Sequence, residues 1–130
     1  MKKTLTNARL AEDLVANYLL QQGWEIIARN WRRRGCELDV IAKKQALLTV
    51  VEVKYRDHFK FYAADLKGLL APRKIDALRR GILRFLGEYN CSAIQSIRGD
   101  LALVTPHITM GDFAGDQALK ITYYDNLVVF

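Results

Sequence analysis

Residues 37–55, ELDVIAKKQALLTVVEVKY, carry the segment on which the fold turns. Leu47 to Tyr55 is a sheet-core run, rich in β-branched and apolar residues and interrupted by Glu52 and Lys54. Residues two apart in a strand share a face, so Glu52 and Lys54 project together. Charges set into such a strand cost desolvation energy unless something holds them. Asp39 lies thirteen positions before Glu52, on the adjoining apolar run. A carboxylate from that strand beside Glu52 and Lys54 completes a divalent-metal site with a cation next to it. That layout suits phosphodiester hydrolysis.

Working outward, Glu37 to Ala42 is expected as a strand, 43–46 as its turn, and Leu47 to Tyr55 as its antiparallel partner. If Asp39 faces Glu52, or any even-numbered residue of that partner, its carboxylate joins the Glu52/Lys54 face. A one-residue slip puts it on the other face, and the sequence does not choose. Asn7 to Gln22 is expected as a helix, with an apolar stripe through Leu10, Leu14 and Tyr18, Thr6 or Asn7 as N-cap, and Gly23 at C′. Trp24 to Trp31 is expected as a strand, and Asp57 to Ala71 as a loop or irregular insertion. Pro72 suits the first turn of a helix to about Gly87, burying Ile75, Leu78, Ile82, Phe85 and Leu86. Strands at Ile97 to Thr105, ended by Pro106, and at Leu119 to Tyr124 complete the set, with a turn at Gly111 to Asp116 between them. The order α-β-β-β-α-β-β predicts one α/β domain spanning residues 1–130, a mixed sheet flanked by helices.

A length of 130 residues suits one domain. The chain carries 20 Lys+Arg against 14 Asp+Glu, and the net charge of +6 favours a polyanionic partner. Arginines cluster at 32–34 and again at Arg73, Arg79, Arg80 and Arg84, bracketing the candidate site. No run of about 18 apolar residues is present, so no membrane helix is expected. Arg9, Glu12 and Asp13 interrupt what would otherwise follow a signal-peptide start. Two cysteines without such a signal predict reduced thiols and a cytoplasmic protein. His58 and His107 lack metal-ligand spacing, and there is no Walker or dinucleotide glycine motif.

Magnesium prefers oxygen ligands and keeps several waters, so Asp39 and Glu52, with the Val53 carbonyl, suffice as protein ligands. Lys54 then orients the water or stabilises charge on the phosphorane. The competing explanation is a structural Glu52–Lys54 or Asp39–Lys54 ion pair. Arg33, Arg34, Arg56, Arg73, Lys74 and Arg80 are the candidate phosphate contacts, although most such helix faces are plain solvated exterior. Trp31 stacks on a base or, as in most such cases, packs into the core.

The segments RGCELDVIA and VVEVKYR resemble the PD-(D/E)XK nuclease signature. With AEDLVANYL, GWEIIARNWRRRG and APRKIDALRR, the stretch from Ala8 to Leu86 resembles the YraN-like family of small bacterial proteins. The resemblance implies a restriction-endonuclease-like fold, shared with archaeal Holliday-junction resolvases. It makes Asp39, Glu52 and Lys54 the metal and catalytic positions, and adds Glu12 of the first helix to the cluster. It also draws in Glu37, as a water-mediated ligand or an anchor for an arginine. The sequence departs from the family pattern at Ala11, Cys36 and Phe61-Tyr62, and a late Arg-aromatic-Asp-Val element appears as Arg98-Gly99-Asp100-Leu101.

The expected protein is therefore an Mg²⁺- or Mn²⁺-dependent DNA endonuclease or nuclease-like protein, with branched or structured DNA as the substrate that the resemblance to the resolvases implies. One alternative is a non-catalytic nucleic-acid-binding module of the same fold. Another is a protein-interaction domain that docks a partner through the apolar C-terminus, Asn126 to Phe130. A homodimer would allow both strands of a duplex or junction to be cut.

Overall fold

The computed structural model describes residues 2–57, 70–107 and 118–130. Helix α1 (Lys2–Gln21) leads into strands β1 (Glu25–Arg33), β2 (Cys36–Lys44) and β3 (Leu47–Tyr55). Helix α2 (Pro72–Glu88) follows, then β4 (Ser96–His107) and β5 (Ala118–Val129). The strands form one sheet in the order β1-β2-β3-β4-β5. All neighbours are antiparallel except β3 and β4, which are parallel. A parallel pair cannot be joined by a tight turn, and α2 lies in the crossover between them. This is the expected α/β order and the restriction-endonuclease-like arrangement.

The two helices cover opposite faces of the sheet. Ala11, Val15 and Leu19 of α1 pack on Val40, Ala42, Val51, Ala102 and Val104. Leu78, Ile82 and Phe85 of α2 pack on Leu38, Ile41, Leu48, Val50 and Val128. In β3 the alternation is strict: Val51 and Val53 serve the α1 layer, Leu48 and Val50 the α2 layer. Glu52 and Lys54 therefore belong to the α2 side. Gly81 lets α2 approach β2, since a Cβ there would stand 2.9 Å from the Leu38 side chain.

Local chemistry explains most boundaries. At the end of α1, Trp24 N–H donates to the Leu19 carbonyl at 2.9 Å and Gly23 N–H to that of Leu20 at 3.1 Å. Gly23 has φ 91°, completing a Schellman cap in which Trp24 packs back on the core. The helix begins at Lys2, not Asn7, because neither glycine nor proline interrupts those residues. The β2–β3 turn narrows to Gln45-Ala46, with Lys43 and Lys44 paired inside the ladder and Gln45 at φ 55°.

Pro106 does not end β4; it pairs with Leu119 two residues beyond the last β3 partner, Val104. The Val104 carbonyl accepts the Arg56 N–H, so the alternate residue Pro106 turns its missing donor toward the side where β3 has stopped. Strand β5 runs five residues past Tyr124, with a register shift between Gly99 and Leu101 of β4 opposite Asn126, whose φ is 59°. Val128 is thereby fully buried, whereas Val129 and Phe130 remain exposed. The expected insertion between β3 and α2 and the turn at Gly111 to Asp116 fall largely or wholly outside the described residues. No described helix is long and apolar enough to cross a membrane.

Candidate active site

Strands β2 and β3 pair with Val40 opposite Val51 and Ile41 opposite Val50. The regular β2–β3 pairing ends at Val40 opposite Val51, and Asp39 and Glu52 follow directly beyond it. Both line a cavity of about 210 Å³ against α2, with Gly35, Cys36, Lys74 and Ala77 also on its wall. Asp39 accepts the Val53 N–H at 2.9 Å. In an extended strand the N–H and C=O of one residue point to the same side, so the Val53 carbonyl is directed toward Asp39 as well.

The electrostatics are those of crowded negative charge. Burial, then the Glu52 carboxylate, push the Asp39 carboxyl from 3.8 up to about 7, against the Val53 hydrogen bond. Glu12 and Glu37 add smaller upward pushes. Lys54 Nζ lies 3.3 Å from Glu52 Oε1, with the two side chains 15% and 19% exposed. That exposure sets the pair apart from a solvated surface bridge. The structural ion-pair alternative is thus present inside the cluster, yet it leaves Asp39 without a cationic partner among the described residues.

Among the described residues, no three Asp, Glu, His or Cys side chains converge to hold a metal ion. The donor set still fits a hard divalent cation: two carboxylates on neighbouring strands, one of them destabilised by its own charge, and a backbone carbonyl beside them. Mg²⁺ is commonly held by one or two carboxylates plus substrate phosphates. Glu12, partly buried on α1, acts on Asp39 as a neighbouring charge and is not on the cavity wall. Glu37 is exposed and pairs with Arg32 at 3.1 Å, the arginine-anchoring arrangement considered for it.

Of the candidate phosphate contacts, Lys74 is the one on the cavity wall. Arg33 is engaged elsewhere, 2.8 Å from Glu88 and 4.4 Å over the Trp31 ring. Trp31 itself packs edge-on against Phe85 at 5.4 Å, the core role. Arg34, Arg56, Arg73 and Arg80 are exposed and lie off the described cavity wall. Arg56 directly follows β3, and its guanidinium donates to the Tyr55 carbonyl at 2.8 Å.

Sequence reasoning gave no role to a second polar centre, on the α1 face. Asp100 is fully buried and accepts from Thr49 Oγ1 at 2.7 Å, from Arg98 Nε at 3.2 Å, from the Tyr123 hydroxyl and from Asn126 N–H at 3.0 Å. The signal was available: an aspartate directly before the apolar run Leu101 to Val104, with Arg98 two residues away on the same strand face.

Comparison with known proteins adds a family. Residues 11–104 match the model described as Uncharacterised protein family UPF0102. A UPF0102 protein of Flavobacterium johnsoniae is 28% identical over 116 residues, covering 89% of this chain and 93% of that one. One of Synechococcus sp. (strain JA-3-3Ab) is 41% identical over 95 residues, covering 72% and 70%. One of Rhodopseudomonas palustris is 31% identical over 97 residues, covering 75% and 72%.

Proposed function

This chain belongs to the UPF0102 family, and we propose that Asp39, Glu52 and Lys54 form the centre of a metal-dependent DNA endonuclease. The observation that supports this is that the half-buried Asp39 and Glu52 line one cavity, with Lys54 Nζ 3.3 Å from Glu52. Asp39, Glu52 and the Val53 carbonyl would hold Mg²⁺ or Mn²⁺. When bound, the ion supplies polarisation of a phosphoryl oxygen and a lower pKa for water. Glu12 completes the negative cluster from α1.

The chain's own groups supply the rest. Glu52 holds Lys54 at 3.3 Å, which orients the ammonium toward charge developing on the phosphate. Lys74, across the cavity, offers a second cation to the substrate backbone. The exposed Arg34, Arg56, Arg73 and Arg80 would serve the flanking phosphates of a nucleic acid. Branched or structured DNA is the substrate class that the resemblance to junction resolvases favours.

The test is a cleavage panel of duplex, single-stranded, flap and four-way-junction DNA with Mg²⁺, Mn²⁺ or EDTA. Parent protein is compared with Asp39→Asn, Glu52→Gln and Lys54→Ala. Cutting that needs the metal and disappears in all three variants is the expected result. Salt-sensitive binding with no cutting by the parent would replace the nuclease with a binding module of the same fold. Neither binding nor metal uptake by the parent would sink both.

A further inference from the structure

We propose a second ligand site, on the α1 face of the sheet, that takes one nucleotide unit: an aromatic base carrying a phosphate. Trp24, held where α1 turns into β1, is flanked by two cations. Arg98 Cζ lies 5.5 Å and Lys44 Nζ 5.9 Å from its ring centroid. A cavity of about 390 Å³ opens here, with Tyr18, Trp24 and Tyr123 as aromatic walls and Lys44, Arg98 and Asp125 as its charges. That volume lies within the range of small-molecule pockets.

The arginine is positioned by a group that does not face solvent, and the lysine by a backbone carbonyl. Arg98 is only 20% exposed and is fixed through Nε by the fully buried Asp100. Asp100 is itself held by Thr49 and Tyr123 hydroxyls, so the guanidinium is preorganised against the sheet. Lys44 Nζ donates to the Gln22 carbonyl at 2.7 Å, next to the end of α1. A base rests against the tyrosine and tryptophan walls, while its phosphate takes the charge of Lys44 and Arg98. Asp125 repels a second phosphate and accepts from an exocyclic amine or a sugar hydroxyl. The site is distinct from the Asp39 cavity, because Tyr18, Trp24 and Tyr123 pack in the α1 layer and Asp39 and Glu52 face α2.

The experiment follows Trp24 fluorescence in a Trp31→Phe background, where Trp24 is the sole tryptophan. The ligands are 2′-deoxyadenosine 5′-monophosphate and a short oligodeoxyadenylate, tested without added metal. Saturable quenching is expected, weakened about tenfold by Lys44→Gln and by Arg98→Lys, and unchanged by Asp39→Asn. Arg98→Lys keeps a cation for Asp100, and Lys44 is exposed, so neither variant depends on refolding the core. Quenching by both ligands identifies a pocket for a free nucleotide; quenching by the oligonucleotide alone identifies a contact to a strand. No quenching, equal affinity in the Lys44 and Arg98 variants, or an equal loss in Asp39→Asn overturns the site. Cleavage is not measured here, so its outcome is independent of the endonuclease proposal.

Discussion

Asp39 reaches across the β2–β3 ladder to accept the Val53 N–H at 2.9 Å, one residue beyond Glu52. That bond fixes the Asp39 side chain at the point where two strands bring their carboxylates together. It also partly offsets the cost of placing them there, since a backbone donor favours the charged form.

Burial of Asp39, and then its closeness to Glu52, makes stability depend on pH. The folded chain holds the Asp39 proton with a pKa of about 7 against 3.8. A raised pKa means that the folded state binds the proton more tightly, so this contribution is full below the lower value and is lost as pH rises through the upper one. Asp39→Asn keeps an acceptor for Val53 and removes the charge. Its Tm is expected to exceed the parent's by about 3–6 °C near pH 8 and to match it near pH 3.5. Thermal denaturation at both pH values decides; a difference of equal size at both would contradict it.

Divalent metal should relieve the same repulsion. Near pH 8, Mg²⁺ or Mn²⁺ is expected to raise the parent's Tm by mass action and to leave Asp39→Asn nearly unmoved. An identical rise in the two proteins would place the ion elsewhere.

Asp100 is the acceptor on which several buried donors converge. Asp100→Ala strands Arg98 and the two hydroxyls, and is expected to cost about 3–5 kcal/mol in urea unfolding. Asp100→Asn retains part of the network and should cost less. A loss below about 1 kcal/mol in Asp100→Ala would mean that the network contributes little.

Lys74 lies on the cavity wall, whereas Arg80 is exposed nearly two turns further along α2. Lys74→Ala is expected to weaken DNA binding without regard to sequence and to lower the salt slope by about one. Fluorescence anisotropy across a salt series measures it, and an unchanged slope would remove Lys74 from the interface.

Glu88 ties down two arginines, Arg33 at 2.8 Å and Arg84 at 3.7 Å. These partners are well exposed, so Glu88→Gln should change stability by less than about 1 kcal/mol. Released from the carboxylate, the arginines should strengthen retention on heparin. Earlier elution of the variant would count against a polyanion-binding role for this edge.

Much of the molecule is legible from local sequence, because local sequence sets periodicity and caps. The alternation in residues 47–55 marks a sheet-core strand, Gly23 supplies the left-handed residue that closes α1, and Pro72 opens α2. Glu52 and Lys54 necessarily share a face once their strand exists. The order of elements, and hence the class of fold, follows from these signals together.

Other features depend on partners distant in the chain. Pro106 stays in β4 because β3 has ended beside it, and Val128 is buried because β5 continues past Asn126 against β4. Arg98 and Asp100 become a network only when Thr49 and Tyr123 arrive from β3 and β5. Asp39 is the sharpest case. Its identity and its distance from Glu52 are written in the chain, but a one-residue change of pairing would turn its carboxylate to the opposite face. Sequence determined which groups could make the proposed site; only the tertiary structure brings Asp39 and Glu52 to one cavity wall, because side chains in a strand alternate faces and pairing with distant residues fixes the phase.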